Sequence, residues 1–207
     1  MPDEIENRAT AVQGAITRRT VLASATFVPV AALTAAAQTA TTALSSSERR
    51  TLEAFLDRLC PKDELGPGAV ECGAASYIDR ALADALAAEK GAFLEGLSSL
   101  ETLARQAGGS DFASLPGETR DEIITSMENG SAAGFPNARA FFNRARRLML
   151  EGMFSDPYYG GNKEFAGWDL IRYPGPRLAV APDDQKMNTA IKPYRVSAYG
   201  KGAEHGH

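Results

Sequence analysis

At 207 residues, with 44% hydrophobic and 23% charged residues, the chain can build one globular domain with a real core, flanked by segments of different character. A formal net charge of −4 and a sequence pI near 5.3 argue against the basic face of a nucleic-acid binder and against attraction to anionic lipid. The only two histidines, His205 and His207, sit in the last three residues. The body therefore offers no histidine general base, no Ser-His-Asp triad and no histidine metal ligand, and the terminal pair reads as part of a frayed tail.

Residues 1–37 have the layout of an export leader. Arg18 and Arg19 stand directly before a weakly apolar stretch, Val21 to about Ala37, which ends in Ala35-Ala36-Ala37, an A-x-A cleavage pattern. Paired arginines before a mild apolar region predict the twin-arginine route and a periplasmic destination. The stretch is rich in alanine and threonine and contains Pro29, which is not the strongly apolar run of about 20 residues that a transmembrane helix needs. Twin-arginine cargo travels folded, commonly because it or a partner carries a cofactor. This chain shows no G-x-G-x-x-G fingerprint, no cysteine cluster and no haem-attachment motif. The expected resolution is a cofactor held by a partner exported with it.

Residues 38–157 read as an all-α domain of about five helices. Ser45 and Glu48 match a capping box, and Leu52, Phe55, Leu56 and Leu59 recur at helical spacing until Pro61 stops the run. A turn-rich loop, Pro61 to Ala69, leads to a second helix over about Gly73–Ala88. A third covers about Ala92–Ala107 and ends at Gly108-Gly109. A fourth starts near Pro116 and ends at Asn129-Gly130. A fifth runs from about Pro136 to Met153, with Phe141, Phe142, Ala145, Leu148 and Met149 on its apolar face and Arg139, Arg144, Arg146 and Arg147 on it as well. No segment alternates as a strand would. The aromatic and methionine stripes are read as core. The arginines are read as a solvated face, with pairing to a partner's acidic groups as the alternative.

Residues 158–207 show no sustained period, yet they carry Phe165, Trp168, Tyr173, Tyr194 and Tyr199. Disordered tails are poor in aromatics, and long irregular segments are often functional. Tryptophan and tyrosine are favoured interface anchors, so this stretch is expected to be an extended arm lying partly on its own helices and partly on another protein. Tyr158, Tyr159, Phe165, Trp168 and Tyr173 are the candidate partner-binding residues. The arm carries seven Lys/Arg against five Asp/Glu, and residues 38–157 carry twelve against eighteen, so the arm can equally fold back on its own acidic body.

The two cysteines, Cys60 and Cys72, fall at the end of the first predicted helix and the start of the second. An antiparallel helix pair would bring them to one end, within the roughly 4.4–6.8 Å Cα separation a disulfide needs. An oxidising compartment would preserve such a bridge, worth on the order of 3 kcal/mol in the chain-entropy model. The expectation is an intrachain bridge formed after export. The alternative is a pair of free thiols packed as small apolar groups.

The ordered set Tyr158-Tyr159-Gly160-Gly161-Asn162-Lys163, Gly167-Trp168 and Tyr173-Pro174-Gly175, with Leu65-Gly66-Pro67-Gly68-Ala69 and the arginine pair before it, resembles the gluconate 2-dehydrogenase subunit 3 family. The resemblance implies a small helical subunit bound to a large FAD-containing oxidoreductase of the glucose-methanol-choline (GMC) type, often completed by a cytochrome c subunit that brings haem c. It implies an escort that supplies the export leader and supports folding of the large subunit. Similar subunits serve gluconate, glucose, sorbitol and glucoside 3-dehydrogenases, and no catalytic, cofactor-binding or metal-binding residue is carried over to this chain. Two other readings compete. One is a self-sufficient periplasmic enzyme using Asp63, Glu64 and Glu71, although acidic residues in a Pro/Gly turn usually serve the turn. The other is a free-standing binding module.

Overall fold

The first helix, α1 (Ser46–Leu59), begins where its capping box demands. The Ser45 hydroxyl accepts from the Glu48 backbone N–H, and the Glu48 carboxylate accepts from Ser45 N–H at 2.7 Å. In this computed structural model the described residues are 42–177, 179–180, 182–187 and 192–200. The predicted leader with Arg18 and Arg19 lies outside them. Five further helices follow: α2 (Ala74–Ala83), α3 (Lys90–Gln106), α4 (Gly117–Asn129), α5 (Ala138–Phe154) and the short α6 (Ala166–Leu170). Among the described residues there is no strand, only an isolated antiparallel bridge between Asp63 and Gly66. No helix among them is long and apolar enough to cross a membrane.

The all-α expectation holds, with two differences. The second helix is broken short at Asp84, whose backbone (φ −130°, ψ −96°) leaves helical space, and a 3₁₀ turn at Ala87–Glu89 links it to α3. The start of the arm, 158–170, expected to be extended, instead lies in 3₁₀ turns at Pro157–Tyr159 and Lys163–Phe165 and then in α6.

The core gathers the apolar faces of α1 to α5. The Phe55 ring lies 6.3 Å from Phe112, 5.9 Å from Phe141 and 6.5 Å from Phe142, and Phe141 also meets Phe93 and Phe135. Fully burying one such side chain stabilises by about 1.5–3 kcal/mol, so this cluster fixes how α1, α3 and α5 cross. α2 and α5 pack tightly because Gly152 lies against the Ala74 backbone, where a Cβ would come within 2.9 Å of Ala74 Cα. At the rim, Arg58 on α1 clasps Asp121 on α4 with two 2.7 Å bonds. This forked geometry is the stronger form of a surface pair.

The chain enters this body beside a buried carboxylate. Asp79 on α2 accepts from the backbone N–H of Ala43 at 2.6 Å and of Leu44 at 2.9 Å, with the Arg49 guanidinium 3.6 Å away. Ala43 and Leu44 are therefore tied to α2.

Candidate functional site: the segment that caps the fifth helix

An α-helix leaves its last four carbonyls without helical partners, and in the last turn of α5 Gly152 and Met153 are buried. The following segment supplies the missing donors. Asp156 starts it, its carboxylate accepting from Tyr158 N–H at 2.9 Å and from the distant Ala198 N–H at 2.8 Å. The chain then doubles back so closely that a Cβ on Gly161 would lie 2.1 Å from the Gly152 carbonyl oxygen. The next residue, Asn162, donates its backbone N–H to that same oxygen at 2.7 Å.

Asn162 is fully buried and has φ +46°. Asparagine tolerates this left-handed conformation better than most residues. Its amide nitrogen donates to Ser155 O at 2.9 Å, and its amide oxygen accepts from Gly167 N–H at 2.9 Å and Trp168 N–H at 3.3 Å. The Trp168 indole N–H donates to Phe154 O at 2.9 Å. Gly167 is pressed so near α5 that a Cβ there would sit 1.8 Å from Met153 O. The glycines, the asparagine and the tryptophan thus form one device that satisfies the carbonyls of Gly152, Phe154 and Ser155. Lys163 N–H adds a bond to Cys72 O at 3.0 Å, joining the device to the α1–α2 loop.

The five candidate partner-binding aromatics divide accordingly. Trp168 is only 6% exposed and packs with Phe165 at 5.3 Å and Tyr173 at 4.9 Å. It is part of the chain's own core. Tyr158 is half-buried. Its ring lies 4.3 Å from that of Tyr199, and its carbonyl accepts from Arg80 at 2.9 Å. Tyr159 and Tyr173 remain exposed. Residues 192–200 return to the body through Tyr199, through Arg195 bonded to Asp169 at 3.1 and 2.6 Å, and through Tyr194 N–H to Pro174 O. This part of the arm lies on its own chain. Sequence reasoning missed Asn162, although Gly-Gly-Asn is a signature of positive-φ backbone.

Outside the capping device, apolar side chains face outward. Tyr77, Leu150, Phe154 and Tyr159, with Glu151 and Ser155, line a groove of about 470 Å³ beside α2 and α5. Burial and a 2.9 Å hydrogen bond to Glu151 push the Tyr77 hydroxyl up to about 12. A hydrogen bond shared with Tyr199 raises Tyr159. Ile171 and Leu65 are also exposed, and a Cβ at Gly66 would lie 2.9 Å from the Leu170 side chain, so the Leu65 loop packs against α6.

The acidic loop residues serve the turn. Asp63 accepts from Leu65 and Gly66 N–H, and Glu71 from Gly68 N–H. Among the described residues no group of three or more His, Cys, Asp or Glu side chains is placed to hold a metal ion. On α5, Arg139 caps the end of α4 through Glu128 O and Asn129 O, Arg144 holds Glu89, and Arg147 pairs with Glu151. Cys60 and Cys72 are free thiols, Cys72 fully buried and Cys60 partly exposed. Both are in the thiol form here, with Cys72 packed among the core residues.

A small all-helical protein whose motif residues are spent on closing its own fold, and which leaves large apolar side chains such as Leu65, Leu150 and Ile171 exposed, has the character of a subunit. Residues 46–175 match the family model described as gluconate 2-dehydrogenase subunit 3. That span is well over half of the chain, and the chain belongs to this family. It is a subunit of a gluconate 2-dehydrogenase-type complex. Neither the curated proteins nor the solved structures yielded a match.

Proposed function

We propose that this chain is the non-catalytic small subunit of a periplasmic sugar dehydrogenase complex, bound to a large FAD-containing subunit of the GMC type. A cytochrome c subunit carrying haem c completes such an assembly. The chain binds no cofactor itself. It escorts the large subunit through twin-arginine export by means of Arg18 and Arg19, and it stabilises that subunit's fold. The observation that carries this reading is the fate of the family motif. Asn162, Gly161, Gly167 and Trp168 are consumed in capping α5, while Tyr159, Leu150, Tyr173, Ile171 and Leu65 stay exposed at the surface. Partly exposed tyrosines beside aliphatic groups are what a stable interface uses as anchors.

Two variants of the co-expressed complex test it. With Arg18→Lys and Arg19→Lys together, both this chain and the flavoprotein should stay in the cytoplasmic fraction. Normal periplasmic flavoprotein would remove the escort role. With Tyr159→Glu and Ile171→Glu, an affinity-tagged chain should keep its helical circular dichroism and lose the flavoprotein on purification. Retention at the native ratio would show that Tyr159 and Ile171 are not at the interface.

A further inference from the structure

Cys60 and Cys72 lie twelve positions apart in sequence, and the backbone folds them to one place. Cys60 ends α1, donating to Leu56 O at 3.0 Å, and its own carbonyl accepts from Ala69 N–H at 2.8 Å. From Gly68 the chain coils helically, with Cys72 N–H on Gly68 O and Ala74 N–H on Ala69 O, both at 3.0 Å. Cys72 is therefore one turn beyond the residue bonded to Cys60. Gly68 passes so near that a Cβ there would lie 2.6 Å from Cys60 O. The two thiols differ in access, because Cys72 is fully buried and Cys60 is partly exposed.

The geometry points to a dithiol pair that a small disulfide oxidant converts to an intrachain Cys60–Cys72 bridge, with Cys60 reacting first and Cys72 resolving. This goes beyond the subunit role and needs neither export nor a partner. The Cys60 thiolate attacks one sulfur of the oxidant, R–S–S–R, forming a Cys60–S–S–R mixed disulfide and releasing one thiol. The Cys72 thiolate then attacks Cys60 Sγ and releases the second thiol. Two protein thiols give up two protons and two electrons, and one oxidant disulfide becomes two thiols. Burial raises both thiols, Cys72 to about 11, and a charge on Cys60 adds to the rise at Cys72. The thiolates are scarce at neutral pH, so the exchange is slow there and speeds as pH rises. The bridge would close the Pro61–Glu71 loop, which carries Leu65 and touches α6 through Gly66.

Oxidised glutathione is the probe, applied to the reduced full-length chain, with denaturing alkylation and intact mass as readout. The native sequence should lose two hydrogens, keep no glutathione and offer no alkylatable thiol. Trypsin should then release residues 59–62 linked to residues 63–80. Cys72→Ala should hold one glutathione on Cys60, and Cys60→Ala should stay unmodified until unfolded. The native chain alone decides the outcome even if a variant fails to fold. If it stops with glutathione on Cys60 and an alkylatable Cys72, or keeps both thiols, the pair does not form a bridge.

Discussion

The side-chain oxygen of the fully buried Asn162 accepts the backbone N–H of Trp168 at 3.3 Å, and the Trp168 indole reaches back to α5 at Phe154 O. One side chain thus determines where α6 starts and where the only tryptophan sits. Asn162→Ala removes the acceptor for two N–H groups and the donor to Ser155 O, and it leaves a Cβ residue at positive φ. The expected loss is about 2–4 kcal/mol in urea unfolding. Asn162→Gly should cost about 1 kcal/mol less than Ala, because glycine accepts the left-handed backbone freely. Equal losses would place the whole effect in the side chain.

Gly167→Ala should expel Trp168. The added Cβ would meet Met153 O at 1.8 Å, and backbone cannot yield as a flexible side chain would. With a single tryptophan in the chain, emission reports the event directly. The variant should show red-shifted, acrylamide-quenchable fluorescence and a stability loss of at least about 2 kcal/mol. Unchanged emission would show that α6 is not held against α5 as described.

Asp79→Ala should strand the N–H groups of Ala43 and Leu44, both residues being buried. The expected loss is about 2–4 kcal/mol. Asp79→Asn keeps an oxygen acceptor and should recover part of it. Hydrogen exchange at Ala43 and Leu44 should quicken in the alanine variant even where global unfolding is excluded.

Much of this architecture was legible in the sequence because it is local. Ser45 and Glu48 marked the start of α1, Gly130 the end of α4, and the spacing of Phe141, Phe142, Ala145 and Leu148 marked the inward face of α5. The break at Asp84 was not legible, since the surrounding alanines and leucines all favour helix and only tertiary packing interrupts them. The Asn162 device was hidden for a related reason. It depends on Gly161 and Gly167 meeting the α5 carbonyls, a contact that no local period announces. Aromatic content correctly signalled that the segment packs somewhere, but it did not say that Trp168 would be spent on the chain's own core and Tyr159 left outside.

Alkaline pH should weaken the reduced protein. The Cys72 thiol is raised from 9.0 to about 11, chiefly by burial, and the Tyr77 hydroxyl from 10.0 to about 12 by burial and then by its bond to Glu151. Both groups hold their protons more tightly when folded. Their contribution is complete below pH 9 and is lost as pH rises through 9–11 for Cys72 and 10–12 for Tyr77. The Tm, measured in the presence of reductant, should fall across this window. Tyr77→Phe should flatten the fall between pH 10 and 12, and an unchanged slope would mean that folding does not hold the Tyr77 proton more tightly than the unfolded chain does.

The central claim is that this chain is a cofactor-free subunit whose complex holds the flavin elsewhere. The most direct measurement is to purify the full chain alone and in complex with its co-expressed flavoprotein, recording the flavin absorption spectrum and sugar-dependent reduction of a dye acceptor for each. The account predicts a flavin spectrum and turnover in the complex, and neither in the isolated chain. A chain that carries flavin or oxidises sugar by itself would contradict it.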